Sequence, residues 1–286
     1  MNTKLKIAGT ALATFALTVT GMGLLTTERP NNGTSSNNDS PTVTIGLVGS
    51  SDKELWDSVA KTAKDEYGIT VKTKTFTDYN QPNKAVADGS IDLNAFQHND
   101  FLKNWNASNN NQLVGIGDTA ISPLRLYSDS LKTVSDFKAG DTIVVPNDPT
   151  NEARALQLLA QAKLIDIKKT AMPTVKDITK NNKDLKIKAV AADQTASNLK
   201  SGNVAGAVIN SNYAVEAKVD PETAIFVEPL TKASKPWINI IAAKKDQKDN
   251  DNYAKVVKSF QTETTKQYFK KHWGDTQIAA WDLDLK

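Results

Sequence analysis

Apolar residues along the chain change repeatedly between two spacings, and this change predicts alternating strands and helices. Val43 to Val48 is a compact apolar run, typical of a buried strand, that ends at a glycine and two serines. Apolar residues from Leu55 to Tyr67 recur at helical spacing, and Gly68 is a stop signal. Residues 70–76 alternate as a strand does. A strand, a helix and a strand within about 35 residues form a βαβ unit, which favours a parallel sheet.

The same alternation continues to the end of the chain and predicts an α/β fold. Further strands are predicted over residues 91–96, 114–119, 124–127, 142–145, 185–190, 204–209, 224–227 and 237–242. A short helix should begin near Pro82 and be closed by Gly89. Another should follow the break at residues 146–149, capped by Thr150 or Asn151, and one long helix is predicted from Asn252 to His272.

The N-terminus has the pattern of an export signal. Lys4 and Lys6 precede an uncharged stretch from Ile7 to Leu25. Residues 1–25 are therefore predicted to be a signal or anchor segment, either cleaved as a leader, which we favour, or retained as a membrane helix. Residues 26–41 are polar and are predicted to form a disordered linker. We expect the folded part to be exported, at the cell surface or outside the cell, and associated with a membrane.

Composition excludes several classes of protein. Among 286 residues, 39% are hydrophobic and 23% charged, which is ordinary for a globular protein of one or two domains. The formal net charge of +3 favours neither a nucleic-acid binder nor an acidic tail. The absence of cysteine excludes disulfides, thiolate metal sites and thiol nucleophiles. There are only two histidines, and neither a phosphate loop nor a nucleophile elbow occurs. We therefore expect no enzyme, no cofactor and no metal.

Arg154 is the sharpest candidate for ligand binding. The chain has few arginines, and a guanidinium can hold a carboxylate through two parallel hydrogen bonds. It is predicted in the first turn of its helix, where the helix dipole favours an anion rather than a cation. A bound carboxylate would resolve that mismatch, whereas the alternative is an exposed arginine.

Other candidates have ordinary structural explanations as well. Asn210 follows a predicted strand and could bind both charged groups of an amino acid, or it could be a turn residue. Asn151 has the same ambiguity, because helix capping would explain it. A second set could form an apolar, polarizable pocket suited to a thioether, or belong to the core; it comprises Tyr79, Phe96, His98 and Phe101.

Three segments, in order, resemble the methionine-binding lipoprotein family, the substrate-binding proteins of methionine ABC importers. They are DYNQPNKAVADGSIDLNAFQHNDFL from Asp78, VVPNDPTNEARALQLLAQAKLI from Val144, and AVINSNYA from Ala207. The resemblance extends from about residue 42 to near the C-terminus. The family normally carries a lipid-modified cysteine after its leader, and this chain has none.

The resemblance implies a two-lobed clamshell of the periplasmic-binding-protein type (type II) with two crossing strands. The crossings would lie near residues 122–127 and 226–231. Lobe 1 would combine residues 42–122 and 232–286, and lobe 2 would be residues 123–231.

The resemblance also implies a role for each candidate and a set of partners. Arg154 would bind the ligand carboxylate, and Asn210 with Asn151 would orient the amino-acid backbone. Tyr79, Phe96, His98 and Phe101 would surround the side chain. The ligand would be methionine, with L-methionine expected, and the partner a membrane permease powered by an ATPase. Another amino acid, a short peptide, or a secreted enzyme or adhesin on the same scaffold stays open as an alternative.

Overall fold

The computed structural model describes residues 40–285. The predicted export segment, and the linker up to residue 39, lie outside the described residues. The strands are β1 Thr42–Val48, β2 Thr70–Phe76, β3 Leu93–His98, β4 Leu113–Asp118, β5 Ala120–Ile121, β6 Arg125–Tyr127, β7 Thr142–Pro146, β8 Asp166–Ile167, β9 Ile178–Lys180, β10 Lys186–Val190, β11 Gly206–Ile209, β12 Ala224–Val227, β13 Asn239–Lys244 and β14 Ile278–Ala279. The helices are α1 Lys53–Tyr67, α2 Gln81–Ala87, α3 Asn99–Ser108, α4 Pro149–Gln161, α5 Thr195–Lys200, α6 Ser211–Glu216, α7 Asp251–Phe260 and α8 Glu263–His272.

Two five-stranded sheets form a mixed α/β, two-lobed fold. One sheet has the order β2-β1-β3-β13-β4, in which β13 is antiparallel to both neighbours and the other pairs are parallel. The other has the order β10-β7-β11-β6-β12, in which β6 is antiparallel to both neighbours. The α/β prediction is confirmed.

The first βαβ unit follows directly from its apolar pattern. Ile45 and Leu47 of β1 are buried, and so are Trp56 and Val59 of α1, which belong to the same core cluster. Gly68 ends α1 with a φ of 67°, a left-handed conformation that glycine adopts without steric cost. The predicted parallel pairing of β1 and β2 is confirmed.

Two chain segments run side by side between the sheets. The backbone N–H of Glu228 donates to the carbonyl of Leu124 over 2.8 Å, just beyond the paired strands β6 and β12. The first sheet takes its strands from residues 42–118 and 239–244, and the second from residues 125–227. The lobe boundaries given above stay a proposal that this connectivity supports.

One helix prediction and one strand prediction were wrong. The long helix predicted from Asn252 to His272 is two helices, α7 and α8, because the Thr262 side chain caps a new helix by accepting from the Thr265 N–H. The predicted strand from Trp237 to Ala242 begins later, at Asn239, because Trp237 ends a short 3₁₀ helix.

Three buried amides attach α2 to β3. Asn83 and Gln97 exchange two side-chain hydrogen bonds, of 2.8 and 2.6 Å, and Asn94 donates to Asn83 over 2.9 Å. All three side chains are buried. Because each amide atom in this network has a defined partner, the end of β3 is held in one orientation, and its last residues include Phe96 and His98.

Across residues 40–285, every helix is too short or too polar to cross a membrane. The Ile7–Leu25 segment lies outside that range.

Candidate functional site

A cavity lies where both sheets present the carboxyl ends of parallel strands. Its volume is about 80 Å³, and one water needs about 10–15 Å³ on the same measure, so it has room for several water-sized groups. The residues singled out from the sequence all line it, namely Tyr79, Phe96, His98, Phe101, Asn151, Arg154 and Asn210. The structure thus brings the candidates together, and their roles toward a ligand stay predictions.

Helix α4 begins earlier than predicted and supplies two of these residues. Its cap is Asp148, not Thr150 or Asn151, because Pro149 occupies the first helical position and the Asp148 carboxylate accepts from the Asn151 N–H at 3.0 Å. The expectation that Arg154 lies in the first turn was therefore wrong, since it lies in the second turn. The Asn151 side chain is free of a capping role and lies beside the cavity.

Arg154 is buried and already paired with a carboxylate. Its Nε donates to Glu228 over 3.0 Å and its Nη2 to the same carboxylate over 2.5 Å, with both side chains under 10% exposed. Nη2 also donates to the Ser122 carbonyl, and the guanidinium lies 4.9 Å from the ring centre of Trp237. Among residues 40–285, Nη1 has no hydrogen-bond acceptor, so this nitrogen is the one that can meet a ligand.

A chain of amides leads from α4 to β11. Asn210 donates through Nδ2 to Asn151 Oδ1 over 2.8 Å. Asn151 donates through its own Nδ2 to both oxygens of Asp148 at 3.0 Å. The Oδ1 atom of Asn210 is buried and has no hydrogen-bond partner among residues 40–285. A buried acceptor of this kind costs free energy until a donor reaches it.

His98 is neutral and has a defined tautomer. Its Nδ1 accepts from the Phe101 N–H over 3.0 Å, so the proton is on Nε2, which lies 3.5 Å from Asn151 Oδ1. Burial, together with the charge of Arg154, lowers the pKa of His98 to about 3. Its ring is edge-on to Trp237 at 5.0 Å. His98 can therefore contact a ligand with its ring but does not supply a charge.

Aromatic rings form the apolar part of the cavity. Tyr79 lies 5.7 Å from Phe96 and 5.9 Å from Phe101, and those two rings lie 5.7 Å apart. Tyr213, on α6, approaches Tyr79 to 5.0 Å. Such a cluster suits an apolar, polarizable group, including a thioether sulfur.

Several hydrogen bonds join the two sheet regions around the cavity. The Tyr79 hydroxyl donates to Asn212 Oδ1, and the Tyr213 hydroxyl to the Thr77 carbonyl. Glu216 accepts from both the N–H and the hydroxyl of Ser50. These contacts close the two regions over the cavity.

Asp52 lies beside this closure, at the start of α1. Burial, with a contribution from the charge of Glu216, raises the pKa of Asp52 to about 6, although a hydrogen bond from Ser51 acts in the opposite direction.

Sequence reasoning missed three polar groups of the site. Asp148 had a signal, because an aspartate directly before a proline at a helix start is a capping pattern. Glu228 directly follows the strand predicted over residues 224–227 and had no signal of its own, because its partner Arg154 lies 74 residues away. Asn212 was inside a quoted segment but carried no pattern of its own.

The charges around the cavity suit a small zwitterion. Arg154 and Glu228 balance each other, whereas Asp148 is a second, half-buried carboxylate at the Asn151 end. One end therefore offers a guanidinium N–H and the other an amide oxygen backed by negative charge. Within residues 40–285, no group of histidine, aspartate and glutamate side chains is arranged to hold a metal ion.

Comparison with known proteins agrees with this picture. The model of the NlpA lipoprotein family matches residues 43–281. The D-methionine-binding lipoprotein MetQ of Escherichia coli K12 is 34% identical over 242 residues, 84% of this chain and 88% of that protein. The substrate-binding protein of a methionine transporter from Streptococcus pneumoniae is 43% identical, with a TM-score of 0.78 over 84% of this chain and 96% of that one. A nutrient-binding protein from Burkholderia cenocepacia, solved bound to methionine, is 38% identical, with a TM-score of 0.79 over 83% of this chain and 99% of that one.

Proposed function

Because the chain belongs to the NlpA lipoprotein family, we propose that it is the substrate-binding protein of an ABC importer and binds methionine. The observation that carries this proposal is the polarity of the cavity. A donor and an unsatisfied acceptor lie on its wall together with a cluster of aromatic rings. An amino acid with an unbranched, apolar side chain offers the complementary groups.

Each end of the ligand has a matching group. The carboxylate binds Nη1 of Arg154, which makes a charge-assisted hydrogen bond. The ammonium donates to Oδ1 of Asn210, whose orientation is fixed through Asn151. The side chain lies among Tyr79, Phe96, His98 and Phe101, where sulfur–aromatic contacts contribute about 0.3–1.5 kcal/mol each.

Capture proceeds by closure of the two lobes. Asn151 and Asn210 come from the second sheet region, whereas Tyr79, Phe96 and His98 come from the first. A ligand that contacts both regions stabilises the closed form relative to the open one. The closed protein, exported and associated with the membrane, then delivers methionine to a permease driven by an ATPase.

A thermal-shift screen against the amino acids tests this function. Methionine at about 100 times its dissociation constant should raise the free energy of unfolding by roughly 2.7 kcal/mol, and L-methionine is expected to act at lower concentration than D-methionine. Norleucine, which lacks the sulfur, measures the contribution of the thioether. If neither form of methionine shifts the unfolding transition but another amino acid or a short peptide does, the importer assignment stands with a different ligand. No shift with any of them would favour an adhesin or an enzyme.

A further inference from the structure

Asp148 makes more hydrogen bonds than a helix cap requires. As the cap of α4 it accepts from the Asn151 N–H, and it also accepts from the Thr150 hydroxyl over 3.1 Å. Beyond these, both carboxylate oxygens accept from the side-chain Nδ2 of Asn151. The bonds to Nδ2 play no part in starting the helix, so they need a separate explanation.

The carboxylate determines which atom of each amide faces the cavity. An ionised carboxylate only accepts hydrogen bonds, so Asn151 must turn Nδ2 toward Asp148 and Oδ1 toward Asn210. An amide oxygen also only accepts, so Asn210 must turn Nδ2 toward Asn151. The Oδ1 atom of Asn210 is then the group left over, and it is the buried acceptor without a partner among residues 40–285.

His98 provides an independent check on this orientation. Because its Nδ1 accepts from the Phe101 N–H, its Nε2 carries the proton and faces Asn151 Oδ1 at 3.5 Å. Two donors, from Asn210 and His98, therefore converge on the same oxygen. The reversed Asn151 amide would place a donor against both.

We propose that Asp148 is a positioning residue for the ligand's ammonium group. It acts through Asn151 and Asn210 by setting the direction of both amides, and it supplies negative charge at that end of the cavity. This inference rests on the proposed function and deepens it. A role as a helix cap alone would leave the direction of the amides without consequence for the ligand.

The variant Asp148→Asn tests the proposal, because asparagine caps helices as well as aspartate does. With its oxygen on the Asn151 N–H, the new amide turns its NH₂ toward Asn151 Nδ2. Asn151 and then Asn210 reverse, although Asn151 then turns its NH₂ toward the weaker, 3.5 Å contact with His98 Nε2, and an NH₂ group faces the ligand's ammonium. The affinity for methionine should fall by about tenfold to a hundredfold relative to that for methylthiobutanoate, the analogue without the ammonium. The ratio of the two affinities, measured by calorimetric titration, cancels changes in folding, closure and carboxylate binding.

A compensating change makes the test sharper. In the Asp148→Asn background, Asn151 presents its NH₂ to position 210, and Asn210→Asp supplies a side chain that accepts from it. The double variant D148N/N210D should recover the parent's preference for methionine over methylthiobutanoate. Because the new carboxylate favours an ammonium by its charge alone, the single variant Asn210→Asp is measured as well. A purely structural role for Asp148 predicts that Asn210→Asp raises the ratio by the same factor in the parent and in D148N, whereas the proposal predicts a larger rise in D148N.

Asp220→Asn is the matched control, because Asp220 also caps a short helix directly before a proline and accepts from the Glu222 N–H. It lies outside the cavity lining and should leave the ratio unchanged. The proposal is overturned if Asp148→Asn leaves the ratio of the two affinities unchanged, including the case in which both affinities fall by the same factor. If D148N alone does not fold, the ratio measured on the double variant decides. A value well below the parent's would contradict the proposal that Asp148 sets the direction of both amides. A parent protein that binds neither ligand would instead refute the proposed function.

Discussion

Arg154 has a structural partner as well as a proposed ligand, and this changes how its role can be tested. Replacement by alanine would leave Glu228 buried without its cation, which typically costs about 3–5 kcal/mol of stability. A loss of binding in that variant would be indistinguishable from a loss of folding.

Arg154→Lys is the better variant, since it keeps a cation opposite Glu228. An ammonium cannot bond Glu228, the Ser122 carbonyl and a ligand carboxylate in the geometry that the planar guanidinium allows. We expect methionine to bind about 10–100 times more weakly, while methylthiopropylamine, which lacks the carboxylate, is unaffected. Calorimetric titration of both ligands gives the comparison.

Arg125→Lys is a matched control, because Arg125 is also buried and pairs with Asp275 at 3.2 Å outside the cavity lining. It should change neither affinity. The carboxylate assignment is wrong if folded R154K binds methionine as the parent does.

His98 should make the protein sensitive to acid. Its folded pKa of about 3 lies below the ordinary 6.5, so the unfolded chain binds more protons between these values. The stability that neutral His98 contributes is therefore complete above 6.5 and is lost as the pH falls toward 3. Relative to His98→Gln, the parent should lose about 2 kcal/mol between about pH 7 and about pH 5. Urea titrations of both proteins measure this, and parallel pH profiles would contradict it.

Most residues that line the cavity could be predicted from the sequence, whereas the ion pair and hydrogen bonds among them could not. The short segments around His98 and Asn210 predicted the lining, because each lies where a strand ends. The partner of Arg154 could not be predicted, because Glu228 reaches it only through packing of distant segments. The direction of an amide also depends on neighbours in space, and periodicity carries no information about it.

At the scale of elements, the amide network between α2 and β3 should be a point of high sensitivity. Asn83→Ala removes the hydrogen bond from Asn94 and the two hydrogen bonds with Gln97. The polar atoms of Asn94 and Gln97 that made these bonds stay buried without them. We expect the free energy of unfolding to fall by about 3 kcal/mol or more. Asn203→Ala, at an exposed position, should change it by less than about 0.5 kcal/mol. Chemical denaturation measures both, and similar values for the two variants would contradict the structural role of the network.

Helix ends were the weakest part of the sequence prediction. Strands β1 and β2 were placed to within a residue. β1 is largely buried and ends before Gly49, and β2 starts just after Gly68 and alternates along its length. The apolar positions of α7 and α8 form one continuous helical pattern, so the break at Thr262 was hidden. Side-chain capping decides such a break, and threonine is common in many other positions.

At the scale of the whole molecule, closure should depend on Glu216. Its carboxylate, at the end of α6 in the second sheet region, accepts from Ser50, which precedes α1 in the first, and its side chain is exposed. Glu216→Ala should weaken methionine binding by about three- to tenfold, because the closed form loses these bonds while the cavity lining is unchanged.

Small-angle scattering tests this together with the clamshell mechanism. The radius of gyration of the parent should fall as methionine is added, and E216A should need more methionine for the same change. Glu222→Ala, which removes another exposed acid, is the control. If the radius of the saturated parent equals that of the empty protein, closure is not the mechanism.

The pairing of Arg154 with Glu228 also has a consequence for release of the proposed ligand. A carrier that held its cargo with an unbalanced buried cation would strand that cation when the cargo left, and an isolated ion in a protein interior costs several kcal/mol. With the ligand carboxylate on Arg154, as proposed, its departure would leave a guanidinium that Glu228 already neutralises. The empty site would then hold no unpaired buried cation, so release of the ligand would not incur that free-energy cost.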